Sequence, residues 1–386
     1  MSQHLLAYLS GGKLFLSHGG AAFRAVESEF VEGMKGRLQS IQKRNEWKTS
    51  GTGAQFMGVR PSLDGADVSG LVCRFTGMSL CGASRLRYSL QTDSVGGLFD
   101  YSVSEKEEKR LLHKEYFNVS DIDVHPETGE TVCSAAFNTG VTNIALVSGN
   151  SVEQLTEGDS FDEAPRWIPG SKGRIVFQSA GIARSGEGFY AGHGNTCVMT
   201  LDLRAGTLET ALEDPAFDFL APQYDENGSL YCIRRRYEEN ANRVTLLSSL
   251  KDLLFFPVRI VRAVVGYLNF FSMIYSKEPL ITAGGNGKKG PDPKTVFLHG
   301  RMIDVDKQMK KAEKGDGSLI PSDWELVRIA ADGSMKVIAQ GVASFDLCGG
   351  EVVYSNGTKV FHVAADGTKS RIAEGSCIEK LRWCRA

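Results

Sequence analysis

This sequence of 386 residues has no C-x-x-C pair, only 11 prolines and no excess of one charge. Its eight cysteines, Cys73, Cys81, Cys133, Cys197, Cys232, Cys348, Cys377 and Cys384, are scattered. That spacing excludes the paired clusters of a zinc site, and a chain of this length has no need of disulfide staples. Forty-four Lys and Arg against 46 Asp and Glu leave a net charge of −2, so no overall field draws in nucleic acid or acidic lipid. The opening "MSQHLLAYLSGGKLFLSHGG" lacks the basic start and long apolar core of a signal peptide. A cytoplasmic protein with reduced thiols is expected.

What is present is glycine. Forty-three glycines imply many tight turns between short strands. A glycine, one variable residue and a short apolar run recur as "GKLFLS" at Gly12, "GETVCS" at Gly129, "GRIVFQ" at Gly173, "GSLYCI" at Gly228 and "GEVVYS" at Gly350, with a looser "GLVCRF" at Gly70. Each reads as a strand entered from a hairpin. A second unit of strand, polar turn and strand follows each copy: "GLFDYSVSEKEEKRLLH", "NIALVSGNSVEQLTEG", "CVMTLDLRAGTLETALED", "ELVRIAADGSMKVIAQG" and "KVFHVAADGTKSRIAEG". Two hairpins per repeat make a four-stranded sheet, the unit of a β-propeller. The fold class predicted is therefore all-β, a single propeller domain of six blades spanning 1–386.

The two ends fit one blade. The start is a hairpin without an inner strand, and the close, "SCIEKLRWC", is a strand without a hairpin. Their pairing would close the ring and leave no bare sheet edge. Residues 27–47 break the strand pattern, and Phe30, Met34, Leu38 and Ile41 recur at helical spacing. A helical insertion capping one face of the ring is expected there.

The run "DSFDEAPRWIPGSKGRIVFQSAGIAR", residues 159–184, resembles the repeat of TolB-like six-bladed propellers, a WD40-like repeat. There an acidic loop precedes Pro, an aromatic residue and a Pro-containing turn. Weaker copies are "VSDIDVHPETGETVCSAA" and "FDFLAPQYDENGSLYCI". The resemblance covers most of 1–240 and 322–386 and implies the fold rather than an activity. The sequence shows no export signal or amino-terminal domain like those of TolB, so a Tol–Pal role is not expected to carry over.

Acidic residues recur before the expected inner strands: Asp121, Asp123, Asp162, Glu163, Asp218, Asp346 and Glu379. In a propeller such loops converge at one channel mouth, where carboxylates can hold a divalent cation as in lactonase-type propellers. The competing reading is that each Asp builds a turn on backbone N–H groups, and it is favoured because no Asn or His joins them at ligand spacing. No metal, cofactor or catalytic residue is predicted. "FTGMSLCGAS" places Ser79 and Cys81 near glycines without a G-x-S-x-G elbow. "GNGKKG", residues 285–290, is followed by "PDP" rather than a helix, so the phosphate-binding context fails. His193 and His299 read as turn or surface residues. Arg234, Arg235 and Arg236 read as alternating across a strand into solvent.

One interval is oversized. About eighty residues, 241–322, separate the strand "YCIRRRYEE" from "WELVRI", which reads as an insertion within one blade. It opens with the apolar run of residues 253–275 and continues as an extended, partly mobile connection. Winding 258–275 as a helix gathers Arg259, Arg262, Gly266, Asn269 and Ser272 on one arc, with Ile260, Val264, Tyr267, Leu268, Phe271 and Ile274 opposite. Phe255 and Phe256 extend the apolar surface. A full span would bury both arginines and split one blade across a bilayer. The prediction is a non-catalytic interaction platform, cytoplasmic or peripherally membrane-associated. It docks to a partner protein or membrane surface through 253–275, with no nucleic acid and no small-molecule substrate. The alternative is a metal-dependent small-molecule hydrolase or lactonase with its site at the channel mouth.

Overall fold

In a computed structural model, which describes residues 4–19, 22–49, 73–82, 84–92, 95–138, 140–238, 295–304 and 318–385, the strand His4–Ser10 is buried on both faces. Leu5, Ala7 and Leu9 join one apolar cluster, while Leu6 and Tyr8 join another. Side chains alternate across a strand, so this pattern requires a sheet packed between two others. The same split separates Ile175 and Phe177 from Val176, and Val352 and Tyr354 from Val353. Among the described residues six such clusters form, one in each gap between consecutive blades of a ring.

Each blade is a four-stranded antiparallel sheet whose strands run in order from the channel outward. The first is Lys380–Arg385, His4–Ser10, Lys13–His18 and Arg24–Ala25. The second is Arg74–Leu80, Arg85–Gln91, Val95–Ser102 and Glu108–Glu115. The third is Asn118–Val124, Thr131–Asn138, Val141–Ser148 and Ser151–Gln154. The fourth is Ser160–Trp167, Arg174–Arg184, Cys197–Asp202 and Thr207–Leu212, joined to the third by one parallel bridge between Thr142 and Phe161. The fifth is Phe217–Tyr224, Leu230–Arg236, Glu325–Ile329 and Met335–Gln340, and the sixth is Ser344–Cys348, Glu351–Ser355, Lys359–Val363 and Lys369–Glu374. The six inner strands touch in cyclic order, the last against the first.

Ring closure follows the predicted route. The C-terminal strand pairs antiparallel with the N-terminal one, from His4 opposite Arg385 to Leu9 opposite Lys380. Leu381 and Trp383 are buried in the gap towards the sixth blade. The repeat register differs from expectation at two places. Gly129, Gly173, Gly228 and Gly350 precede second strands, but Gly12 leads a third strand and Gly70 precedes the inner strand of the second blade. The blade count is unaffected, because the five described glycines belong to five different blades and Gly70, outside the described residues, precedes the remaining one, the second, in the chain.

The helix runs Glu29–Thr49, and its expected capping of a ring face is corrected. Val31 and Phe30 pack into the cluster between the first and second blades, with Phe30 5.3 Å from Phe99 and 4.9 Å from His113. Glu108 accepts the backbone N–H groups of Glu29 and Phe30, closing the open donors of the first turn. Leu38 and Ile41 are exposed at 39% and 49%, so the expected apolar face is not buried at these two positions.

The described residues belong, Glu238 apart, to one compact unit, Met1–Tyr237 with Thr295–Ala386. Phe255, Phe256, Arg259, Ile260, Arg262, Val264, Tyr267, Leu268, Phe271 and Ile274, the helix expected over 258–275 and the "GNGKKG" run lie outside the described residues. Part of the returning arm is described and differs from the extended connection expected. Thr295–Leu298 and Arg301–Asp304 form a hairpin, and its Leu298 and Ile303, with Ile320, join the cluster between the fifth and sixth blades.

Candidate functional site

The inner strands place one polar side chain each around a funnel of about 250 Å³ at a channel mouth: Ser79, Asp123, Arg166, Gln223, Asp346 and Arg382. In the fourth and fifth blades a bulge sets this position. Ala164 and Ala221 both have φ of 51°, and the register shifts between Glu163 and Arg166 and between Leu220 and Gln223. The extra residue re-aims the next side chain.

The carboxylates of this ring are already paired with cations. Arg166 donates from Nη1 to Asp123 Oδ1 at 3.0 Å and from Nη2 to Asp346 Oδ1 at 2.7 Å. Asp123 also accepts from Ser79 Oγ at 3.0 Å and from the Trp167 N–H at 3.0 Å, and Asp346 accepts the Trp383 N–H at 2.8 Å. Burial works against the Arg166 charge, but Asp346 and Asp123 more than offset it and hold the guanidinium pKa above its usual value. Arg382 donates instead to the carbonyls of Met78 and Leu381, at 3.0 and 2.9 Å. Burial first, and then the neighbouring Arg166, bring its pKa down to about 10.

Deeper in the channel Lys380 donates to Asp121 at 2.6 Å, to the Thr76 carbonyl at 2.9 Å and to the Ser120 carbonyl. Glu163 accepts from Gln178 Nε2 at 3.1 Å, and burial followed by the nearby Asp121 raises its pKa. The adjacent Asp162 faces the other way, as strand alternation requires. It accepts from Thr156 Oγ1 at 2.6 Å and Ser179 Oγ at 2.7 Å. Asp218 is buried and accepts from the Thr196 N–H and from Arg235 Nε, both at 3.0 Å. Glu379 accepts the Gly11 N–H at 2.9 Å.

The predicted carboxylates therefore do not converge. Asp123 and Asp346 share one mouth, Asp121 and Glu163 lie deeper, and Asp162 and Asp218 belong to the packing of the blades. Nor do they build the local turns expected, since among the described residues none of them accepts an N–H group within the next few residues of its own loop. The turn-building role falls to Asp202, Asp214, Asp225, Asp332 and Asp366, which accept backbone N–H groups two residues on. A divalent cation between Asp123 and Asp346 would have to displace Arg166 and leave a buried guanidinium unpaired, a loss of several kcal/mol. Among the described residues no group of three or more His, Cys, Asp or Glu is placed to hold a metal.

Other expectations change with this geometry. Of the three arginines only Arg236 is exposed. Arg235 is buried against Asp218 and stacks 4.7 Å from the Trp324 ring, and Arg234 pairs with Glu325 at 2.5 Å. His299 sits at the turn of the inserted hairpin as expected, but half-buried rather than on the surface. Its Nε2 lies 2.9 Å from the Ala343 carbonyl, and burial lowers its pKa to about 4. His193 instead ends the strand Tyr190–His193, opposite Ile182 and half-buried, with its Nδ1 3.0 Å from the Gly194 carbonyl. The basic channel residues Arg166, Lys380 and Arg382 are not among the sequence-predicted site residues. A signal for two of them exists, since Lys380 and Arg382 alternate with Leu381 and Trp383, a period of two that marks a strand with one polar face.

No protein-family model and no curated protein matches the chain. Solved structures do. The nidogen/laminin complex aligns over 99% of this chain and 98% of its own at 7% identity, with a TM-score of 0.51. TolB from Acinetobacter baumannii aligns over 99% of this chain at 10% identity and a TM-score of 0.49, and this chain covers 66% of that one. Prolyl endopeptidases align at 8% identity and a TM-score of 0.41, with 42% of their chain covered. At 7% identity the likeness to the nidogen/laminin structure is one of fold alone, and it agrees with the propeller described above.

Proposed function

We propose that this protein is a non-catalytic interaction platform, a divergent TolB-like propeller that docks to a partner protein or membrane surface through residues 253–275. The observation that carries this reading is the completeness of the fifth blade without its insertion. Leu230 pairs with Ile329 and the ladder continues to Arg234 opposite Glu325, so the strands on either side of the insertion meet directly. The ladder takes no strand from residues 253–275, while the returning arm fills the gap to the sixth blade with Leu298, Ile303 and Ile320, and a segment as apolar as "LLFFPVRIVRAVVGYLNFFSMIY" exceeds what a connection requires. Wound as a helix, its sequence would set an apolar arc opposite Arg259 and Arg262, which would suit a partner groove or a headgroup boundary.

The channel supports the same reading. Asp123 and Asp346 are engaged by Arg166, and Ser79, the hydroxyl at the mouth, donates to Asp123 rather than to a histidine. Among the described residues no helix is long and apolar enough to cross a membrane. The test is recovery of bound proteins and lipids from cells carrying the full chain or a version lacking residues 245–276. Binding lost with the deletion supports the platform. Equal recovery from both contradicts it.

A further inference from the structure

Two thiols meet where the ring closes. Cys348 ends the inner strand of the sixth blade, and Cys384 lies in the C-terminal inner strand of the first. Side chains stitch these strands together, since Ser344 Oγ accepts the Leu381 N–H at 2.9 Å and Asp346 Oδ2 accepts the Trp383 N–H at 2.8 Å. Continuing that two-residue step brings Cys348 to the end of the C-terminal strand, beside Cys384, whose Sγ lies 3.5 Å from the Arg385 carbonyl. Both are partly exposed and line the funnel, so a small solute reaches them from the channel mouth.

Their chemistry is uneven in a useful way. The Cys384 thiol, helped by the backbone of Arg385, brings Cys348 down to about 6 against the effects of burial and of the Asp346 and Glu226 carboxylates. The same pairing pushes Cys384 up. The lowered pKa favours the thiolate of Cys348, which is the nucleophilic form. Cys73, Cys81, Cys133, Cys197, Cys232 and Cys377 are all pushed the other way by burial.

We propose that Cys348 and Cys384 are a peroxide-oxidised pair whose disulfide latches the sixth blade to the C-terminal strand of the first. The Cys348 thiolate attacks the nearer oxygen of a hydroperoxide, the O–O bond breaks, and the leaving alkoxide or hydroxide takes up a proton. Cys348 becomes a sulfenic acid. Cys384 then attacks that sulfur, an S–S bond forms and the sulfenic oxygen departs as water. Two thiols and one hydroperoxide give one disulfide, one alcohol or water and one further water. The cross-link closes the chain between positions 348 and 384 and restricts the unfolded state.

The experiment treats reduced full-length protein with hydrogen peroxide, blocks free thiols and maps digested peptides by mass spectrometry. The expected result is a linked pair of peptides containing Cys348 and Cys384, with a Tm about 5 °C higher that dithiothreitol reverses. In Cys384→Ser, Cys348 should be trapped as a sulfenic-acid adduct and peroxide should leave Tm unchanged. In untreated wild type at pH 7, Cys348 should alkylate about fivefold or more faster than Cys81, because its thiolate fraction outweighs the weaker nucleophilicity of a more acidic thiol. A disulfide between other cysteines, or Cys348 alkylating no faster than Cys81, overturns the proposal. The wild-type measurements decide it even where the serine variant does not fold.

Discussion

Arg166 of the fourth blade lies 2.7 Å from Asp346 of the sixth, and the same guanidinium lies 3.0 Å from Asp123 of the third. The arginine side chain is only 12% exposed. One buried cation thus ties three blades across the channel, and the ring of inner strands is held by polar contacts as well as by the apolar gaps between blades.

Removing that cation should cost more than an ordinary surface ion pair. Arg166→Met leaves two largely buried carboxylates without their shared partner, so stability should fall by about 3–5 kcal/mol. Asp346→Asn in the Arg166→Met background should recover part of the loss, because it removes one of the stranded charges. Urea unfolding of the two single variants and the double variant measures the coupling.

Acid should loosen the seat of the inserted hairpin. His299 is held neutral in the fold, with a pKa lowered to about 4, whereas in the unfolded chain it protonates near its ordinary value of about 6.5. The unfolded state therefore binds more protons between these values. The contribution is fully present above about pH 6.5 and is lost as pH falls towards 4, up to about 3 kcal/mol. His299→Gln should lose less stability than wild type between pH 7.5 and pH 4.5, as read from urea midpoints at both.

Gly96 is a steric requirement of the second blade. A Cβ there would collide with the backbone carbonyl of Phe117, at the entry to the third blade, and neither strand can retreat without opening the apolar gap between them. Gly96→Ala should destabilise by about 3 kcal/mol or more, whereas Gly129→Ala, where open space surrounds a turn glycine with φ of 72°, should cost less. Thermal unfolding of both variants gives the comparison.

The fold is legible in the sequence because propeller blades repeat a local pattern. The glycine-led runs and the "AADG" turns mark hairpins whose partners lie within about twenty residues, and the terminal strand is missing from one sheet and left over from another. Register is less legible. Gly12 and Gly70 precede apolar runs like those of the other copies, and nothing local distinguishes a second strand from a third or a first. The channel is half visible. Asp121 and Asp123 advertise their shared face by spacing, but the bulge at Ala164 sets Glu163 and Arg166 three residues apart and hides the period of two. The partnership of Arg166 with Asp346 spans 180 residues, and that of Cys348 with Cys384 exists only because the ring closes. The inserted hairpin of Thr295–Leu298 and Arg301–Asp304 is masked by polar, glycine-rich sequence on both sides, which has the composition of a featureless connection.

The central claim is that residues 253–275 dock the propeller to something else. The direct measurement compares wild type with Leu268→Ser/Phe271→Ser in sedimentation with anionic phospholipid vesicles and in retention of co-purifying protein, with Tm recorded for both. Each of these side chains contributes roughly 1.5 to 3 kcal/mol when buried, enough for the pair to govern binding. The account predicts that wild type sediments with vesicles or retains a partner, and that the double variant loses this while its Tm is unchanged. A double variant that unfolds, beside a wild type that neither sediments nor retains a partner, would contradict it and make the segment part of the propeller's own core.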